Sequence, residues 1–228
     1  MSAFTPEHKA ERNKVLTASD ACYLYGLGFK GRSLDMVAAE KRGEIEDKWC
    51  GSALTAMGNF LEPDVAYNVR QYYGEDFTEQ EWVVRGDLGA TLDMRSFQRI
   101  VEIKTYPGFP SKATKLDLED GVPDKYFVQL IHQMAASGAE IGAVANLFAG
   151  ESEEDGEIEM QIWLREWRRE DVAPIIDEHI AAVEAFWTDQ VSIYSGTKPI
   201  EKEWKYGNGA NFVSKVVEFK AQKPPIGE

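Results

Sequence analysis

One alternating stretch, Val101-Glu102-Ile103-Lys104, constrains the fold of this chain more than any other feature. On a β-strand the side chains point to opposite faces in turn, so Val101 and Ile103 would face a core while Glu102 and Lys104 share the other face. Asp93 ends the preceding extended segment, nine positions before Glu102. If the two segments are neighbouring strands of a hairpin, the carboxylates of Asp93 and Glu102 come together.

The residues that this hairpin would bring together predict a metal site. Two converging carboxylates offer the oxygen ligands that Mg²⁺ prefers, and the Ile103 carbonyl oxygen is a further candidate ligand. A lysine beside such a metal, here Lys104, can orient or deprotonate the water that attacks phosphorus, so the pattern favours metal-assisted hydrolysis of a phosphodiester. The alternative is a solvated strand face with a salt bridge. Asp87 competes with Asp93 as the first acid, although its position is typical of a turn.

Helical patterns on either side of these segments carry further polar residues. Apolar residues recur at helical spacing from about residue 52 to 73, a segment that includes Glu62, and again from about residue 124 to 138. In the second segment Gln129 and Gln133 lie one helical turn apart. A solvent-exposed helix face is the alternative explanation for all three polar side chains.

Taken in order, these motifs resemble the PD-(D/E)xK nuclease superfamily, whose core runs helix, three strands, helix, strand. Arg12 and the run Leu16-Thr17-Ala18-Ser19 resemble the start of the phage lambda-type exonucleases, also called the YqaJ-like viral recombinase nucleases. The resemblance covers roughly residues 10 to 190. It implies an α/β, single-domain, restriction-endonuclease-like core with a mixed central β-sheet flanked by helices.

The resemblance also implies roles for the amino-terminal residues. Arg12, Thr17 and Ser19 would bind the 5′-phosphate of DNA, since a guanidinium holds phosphate with paired donors and a helix start offers hydroxyls and free N–H groups. A plain helix N-cap is the simpler interpretation of Thr17 or Ser19, and it is compatible with phosphate binding.

Metal binding and catalysis are assigned by the same resemblance. Mg²⁺ would be held by Asp93, Glu102, Ile103 and Glu62. Two ions are expected, and Mn²⁺ could replace Mg²⁺. Lys104 would position the attacking water, and Gln129 would orient that water or the scissile phosphate. Lys112 and Lys115, in a long loop before residue 124, would contact DNA.

The implied activity is a Mg²⁺-dependent 5′-to-3′ exonuclease on linear double-stranded DNA. It would release 5′-mononucleotides and leave a 3′ single-stranded overhang for recombination by strand annealing. The implied partners are DNA ends, a single-strand annealing protein and two further copies of the chain in a homotrimeric ring. The cytoplasm of a bacterial host, with a phage or prophage origin, is the expected setting.

Two alternatives stay open. A DNA endonuclease on the same fold would share the metal site and differ only in how it recognises DNA. A non-catalytic, acidic DNA-mimic or binding protein on a degenerate nuclease fold would instead bind a basic partner.

The net charge of −14 argues against DNA binding, because proteins that hold DNA by counterion release present a basic surface. Much of the acidic excess is concentrated between positions 151 and 159, which we interpret as a solvated hairpin tip or a docking patch for a basic partner. A ring can also have a basic lining and an acidic exterior.

Composition excludes several classes of protein. No apolar run reaches membrane-spanning length, so no membrane association is expected. Cys22 and Cys50 are too few for a disulfide framework or a four-cysteine iron–sulfur site. His132 and His179 have no metal-ligand spacing and are expected to be structural or surface residues.

Along the chain, the patterns predict a nuclease domain over residues 1–199 and a C-terminal arm over 200–228. The arm interleaves aromatic residues with lysines; docking on its own core or on a neighbouring subunit is favoured over contact with single-stranded DNA. Helices are predicted near 17–26, 34–41, 52–73, 124–138 and 169–190, and strands near 81–86, 88–94, 96–105, 141–149 and 157–167.

Overall fold

The computed structural model describes residues 10–46, 53–107, 122–151, 158–192 and 213–220. Its strands are β1 Leu16–Thr17, β2 Thr78–Arg85, β3 Leu88–Arg95, β4 Arg99–Pro107, β5 Ile141–Glu151, β6 Ile158–Arg168 and β7 Val213–Lys220. Its helices are α1 Ala18–Ala21, α2 Leu34–Lys41, α3 Ala53–Tyr73, α4 Asp124–Ser137 and α5 Arg169–Ala185, with a 3₁₀ turn at Cys22–Tyr25 and a π-helical turn at Phe186–Ser192.

The strands form one mixed sheet in which β3 has an unusual edge. Antiparallel β2 pairs with β3 from Leu88 to Arg95, at every residue except Asp93. The other edge is shared, because β1 pairs in parallel with Leu88 and Gly89 while β4 pairs only with Met94 and Arg95. Beyond Val101, β4 leaves β3 and runs in parallel with β5, which is followed across the sheet by β6 and β7. A gap therefore opens between β3 and β4.

Helices cover both faces of the sheet. Helix α3 packs on one face, where Val65 and Val69 meet Val101 and Ile103 of β4. Helices α1, α2, α4 and α5 cover the other face. The predicted core positions of β4 are thus buried against α3, and Glu102 lies on the face that α4 covers. The α/β class, the mixed sheet and its flanking helices are confirmed.

Several boundaries differ from the predictions, and β2 begins at Thr78 where the predicted strand begins near residue 81. The segment predicted as one helix near 17–26 is divided into β1, α1 and the 3₁₀ turn, which ends at Gly26 with φ of 71°. Strand β4 begins later than predicted, because the Ser96 N–H donates to the Arg99 carbonyl oxygen across a turn. Strand β7 was not predicted, since the aromatic residues interleaved with lysines beyond residue 199 suggested an arm. The division at residue 199 stays a prediction.

Helix α4 lies unusually close to the sheet because of Gly142 on β5. A Cβ atom at this position would lie 2.5 Å from Met134 Sδ and 3.2 Å from Leu130 Cδ1. The absence of a side chain lets the helix pack directly on the strand backbone. This close packing brings the polar face of α4 within hydrogen-bonding distance of β4.

Buried charges fix the amino-terminal segment to α2. Asp20 on α1 is ion-paired with Arg32 at 2.6 Å and with Lys41 at 3.1 Å. Lys41 Nζ also donates to the backbone carbonyl of Arg12 at 2.9 Å. Burial alone would raise the pKa of Asp20, but the charges of Lys41 and Arg32 hold that pKa at about 2. The network therefore ties Arg12 and α1 to the body of the domain.

We expect Asp20→Asn to lower the free energy of unfolding by about 3 kcal/mol, because it leaves the buried Lys41 ammonium without its carboxylate. Chemical unfolding at pH 7 measures the loss. Since the folded pKa is depressed, the wild-type advantage is present above about pH 4 and is lost as the pH falls towards 2. The exposed Asp64→Asn is the matched control and should change stability by no more than about 0.5 kcal/mol.

Two histidines predicted to be structural or surface residues are buried and joined to each other. His132 Nδ1 and His179 Nε2 are hydrogen-bonded at 2.9 Å, and His179 Nδ1 is hydrogen-bonded to the Tyr25 hydroxyl at 2.8 Å. This chain of polar groups links α4, α5 and the 3₁₀ turn. Burial lowers the pKa of His132 to about 4, so the imidazole is neutral in the folded protein at pH 7.

The folded protein should therefore lose stability in mild acid. An unfolded histidine has a pKa of about 6.5, so the unfolded chain binds the extra proton as the pH falls from there to about 4. His132 alone should cost about 2 kcal/mol of unfolding free energy between pH 7 and pH 5. Urea unfolding across this range would show a smaller slope for His132→Gln, whereas an equal slope would contradict the assignment.

No helix within the described residues is long and apolar enough to span a membrane. Cys22 is buried with a free thiol, and Cys50 lies outside the described residues.

Candidate active site

The gap between β3 and β4 is bridged by a side chain. The Ile103 backbone N–H donates to Asp93 Oδ2 at 2.8 Å, at a point where the two strands no longer pair through their backbones. Asp93 therefore replaces a backbone acceptor and fixes the width of the gap. Asp87, the competing acid, lies in the turn before β3, at the other end of that strand.

The Glu102 carboxylate is almost completely enclosed, with 2% of the residue exposed. Its Oε1 accepts hydrogen bonds from Lys104 Nζ and, at 2.5 Å, from Gln129 Nε2, while Oε2 accepts from Gln133 Nε2. Both oxygens are thus bound by donors from β4 and α4. These three hydrogen bonds replace the water that the carboxylate loses on burial.

Lys104 lies between Glu102 and an aromatic ring. Its ammonium nitrogen is 5.1 Å from the centre of the Tyr126 ring on α4, a cation–π contact. Burial alone would lower the pKa of Lys104, but the negative charges of Glu102 and Asp93 outweigh it and raise that pKa. The side chain is therefore an ammonium at neutral pH, which favours a hydrogen-bond donor over a general base.

Glu62 on α3 approaches the same site through a residue that the sequence did not single out. Gln80 Nε2 donates to Glu62 Oε1 at 2.5 Å, and Gln80 lies opposite Asp93 in the β2–β3 register. Gln80 has φ of 53°, a left-handed conformation that costs a non-glycine residue about 1 kcal/mol. Burial and the neighbouring charges of Glu102 and Glu79 raise the pKa of Glu62.

The site is short of positive charge. Burial, followed by the charge of Glu102, raises the pKa of Asp93 well above its usual range. Oxygen donors that repel one another in this way fit a hard divalent cation, whose charge would relieve the repulsion. Within the described residues no three acidic, histidine or cysteine side chains form a complete metal cluster, so the Ile103 carbonyl and solvent would have to complete the ligand set.

The candidate phosphate-binding residues lie farther along β3. Thr17 pairs with Gly89, four positions before Asp93, which corresponds to about 13 Å along a strand. Thr17 Oγ1 and Ser19 Oγ are hydrogen-bonded at 3.1 Å, and Thr17 starts α1 without capping it through its side chain. The Arg12 guanidinium lies 5.8 Å from the centre of the Trp82 ring. Lys112 and Lys115 lie outside the described residues.

Comparison with known proteins agrees with this geometry. Residues 7–140 match the YqaJ-like viral recombinase domain. The chain belongs to the YqaJ-like viral recombinase family. No match is found among curated proteins.

The fold of this chain is similar to that of solved structures. It is similar to the crystal structure of an alkaline exonuclease, LHK-Exo from Laribacter hongkongensis, with a TM-score of 0.56 and 21% identity over 82% of this chain and 94% of that one. LHK-Exo in complex with dAMP gives a TM-score of 0.56 and 21% identity over 80% of this chain and 92% of that one. The family that the motifs resembled is confirmed, and these solved structures agree with the fold described above.

The YqaJ-like fold brings together most of the predicted site. Asp93 accepts from the Ile103 backbone, and the adjacent Glu102 side chain accepts from Lys104 and Gln129. Glu62 reaches the group through Gln80, and the Arg12 segment is separate from it.

Sequence reasoning missed two residues of this constellation. Gln133 was visible as the partner of Gln129 one turn later, but its bond to Glu102 depends on how closely α4 packs. Gln80 gave no signal, because a glutamine in a strand is ordinary and its left-handed conformation cannot be read from a sequence.

Because the Asp93 carboxylate is destabilised by burial and by Glu102, we expect Asp93→Asn to raise the free energy of unfolding in a chelating buffer. The gain should be measurable at pH 7, because the asparagine carries no charge for Glu102 to repel and none that burial disfavours. It should shrink as the pH falls and the wild-type carboxyl takes up its proton.

Asp93→Ala is the contrasting variant for urea unfolding, because it removes the acceptor of the Ile103 N–H as well as the charge. A loss of stability in Asp93→Asn equal to that in Asp93→Ala would contradict a repulsive site.

Proposed function

We propose that this YqaJ-like protein is a Mg²⁺-dependent exonuclease that degrades one strand of linear double-stranded DNA from its 5′ end. It releases 5′-mononucleotides and leaves a 3′ overhang for strand annealing. The observation that carries the proposal is the contact between Asp93 and the Ile103 N–H beside the Glu102–Lys104 pair. This contact joins two acids, a backbone carbonyl and an ammonium at one gap in the sheet.

Asp93, Glu102 and the Ile103 carbonyl are the groups that would hold the first Mg²⁺, and Glu62 would hold or order a second one. Mn²⁺, which also takes oxygen ligands, could substitute for it. When bound, the cations supply charge that stabilises the phosphate oxygens and lowers the pKa of water. The raised pKa of Asp93 means that binding releases a proton below that pKa.

The chain's own donors then orient the reactants. Lys104, kept protonated by its acidic neighbours, donates to the attacking water or to a phosphate oxygen. Gln129 shares Glu102 Oε1 with Lys104, and its amide oxygen can accept from the same water. Tyr126 limits the positions of the Lys104 ammonium.

End recognition rests on the amino-terminal segment. Arg12 and Ser19, with Thr17 supporting Ser19, would hold the terminal 5′-phosphate. Lys41, through its bond to the Arg12 carbonyl, keeps that segment at a fixed distance from the catalytic strands. Lys112 and Lys115 would contact the duplex near the cut.

The assembly and setting follow from the same proposal. A homotrimeric ring with a basic lining reconciles DNA binding with the net charge of −14. A single-strand annealing protein would receive the overhang. The protein would act in the cytoplasm of a bacterial host and would itself come from a phage or prophage. A DNA endonuclease is the second candidate, because the catalytic gap alone does not distinguish ends from internal sites.

The test is digestion of linear duplex DNA with a 5′-phosphate or a 5′-hydroxyl, beside a closed circle, in Mg²⁺ or EDTA. We expect Mg²⁺-dependent loss of the linear DNA and preference for the phosphorylated end. Lys104→Ala should lower the rate by about 100-fold or more, because it removes a donor to the developing charge. Arg12→Ala should slow the phosphorylated substrate selectively.

A control variant makes the result specific. The exposed Lys14→Ala removes a positive charge from the segment that carries Arg12 and should leave the preference for phosphate unchanged. An Arg12→Ala variant that slows both kinds of end equally would contradict a phosphate contact. Cutting of the circle would assign an endonuclease, and absence of cleavage under every condition would leave an acidic binding protein.

A further inference from the structure

Asn146 on β5 lies beside the catalytic lysine although it is distant from it in sequence. In the parallel register of β4 and β5, Asn146 pairs with Lys104, and across the next ladder it pairs with Trp163 of β6. Paired residues on neighbouring strands point to the same face, and their backbones are about 4.8 Å apart. Asn146 therefore lies between the Lys104 side chain and the Trp163 ring on the face that α4 covers.

The side-chain amide of Asn146 has no partner among the residues that the structure describes. The residue is 0% exposed, and neither its Oδ1 nor its Nδ2 atom makes a hydrogen bond to that part of the chain. A carboxamide offers two donors and two acceptor positions, and burying them unsatisfied is unfavourable for folding. Its neighbours on the same face of β5, Val144 and Phe148, are buried and apolar. Packing alone would be served better by an apolar residue of the same size.

The unsatisfied acceptor lies where the catalytic lysine would need one. The Lys104 ammonium has three donors, and its hydrogen bond goes to Glu102 Oε1, which also accepts from Gln129. In the proposed function Glu102 is a ligand of the cation. If Glu102 gives electron density to a cation, the carboxylate becomes a weaker acceptor for Lys104. The ammonium is then held less firmly by Glu102.

We propose that Asn146 is a positioning residue for Lys104. Its Oδ1 accepts a hydrogen bond from the ammonium when Glu102 takes up the cation, and this second anchor holds the lysine at the scissile phosphate. The inference rests on the proposed nuclease function. It assigns a role to the buried amide that the fold itself does not require.

The experiment compares Asn146→Leu and Asn146→Asp with the wild type, and uses Phe148→Leu as the matched control on the same face of β5. Leucine keeps the approximate size and removes the acceptor, whereas aspartate keeps the acceptor and removes the donor. The readouts are the urea midpoint in EDTA, the Mg²⁺-induced rise in Tm, and kcat and KM on 5′-phosphorylated linear duplex DNA.

We expect Asn146→Leu to have a urea midpoint equal to or above that of the wild type and an unchanged Mg²⁺-induced shift. Its kcat should fall by about 10- to 100-fold with little change in KM, as for a misplaced catalytic group. Asn146→Asp should recover much of kcat, because a carboxylate also accepts from the ammonium. Phe148→Leu should lower the midpoint and leave kcat near the wild-type value.

Three outcomes would overturn the assignment. Unchanged kcat in Asn146→Leu shows that the amide does not act in catalysis. A lower midpoint together with unchanged activity per folded molecule shows a structural role. An Asn146→Asp variant less active than Asn146→Leu shows that the amide donates to phosphate, because a carboxylate repels that group. If the wild type itself fails to cleave, the proposed function fails instead, which the wild-type digestion reports separately.

Discussion

The hydrogen bond from the Ile103 N–H to Asp93 is the interaction on which the rest of the site depends. Two adjacent antiparallel strands would ordinarily satisfy each other's backbone groups, leaving no space between them. Here β4 turns away from β3 after two paired residues, and β1 pairs only with Leu88 and Gly89 at the far end of that edge. A side-chain carboxylate therefore takes the place of a backbone carbonyl, and an acid is fixed at the point where the sheet opens.

Several unfavourable features are concentrated around this opening. Asp93 carries a raised pKa, Gln80 adopts a left-handed backbone conformation, and the Asn146 amide is buried without partners. Each lowers the stability of the folded chain. Asp93 and Asn146 lie on the two strands that flank the Glu102–Lys104 pair, and Gln80 lies one strand farther, opposite Asp93. Local strain and unpaired polar groups of this kind persist where the surrounding structure holds them in place, and they are typical of functional sites. Most of the remaining core is apolar on both faces of the sheet, and the buried Asp20 and His132 groups described above have hydrogen-bond or ion-pair partners.

The sequence predicted the local part of this arrangement. The alternation around Glu102 has a period of two, so a few residues are enough to assign its faces, and the spacing to Asp93 follows from one hairpin. The α4 and α5 segments were likewise visible from helical periodicity. The positions of Gln80 and Asn146 depend on the register between strands and on a backbone dihedral angle. Neither can be predicted from the residue types of a short sequence segment. The amino-terminal segment was predicted as a single helix. Its strand β1 depends on the pairing of Leu16 with Leu88, and a contact between residues so far apart in the chain cannot be read from a local pattern.

Strand β7 has a consequence for the solubility of the protein. It pairs with β6 over eight residues and so covers an edge that would otherwise present a row of free backbone donors and acceptors. Exposed edges of this length are templates for association between sheets, and lysines along an edge strand discourage it. β7 carries Lys215 and Lys220 among its apolar residues. A chain shortened after residue 199 would keep every residue assigned here to metal and phosphate binding and would lose its protection against aggregation.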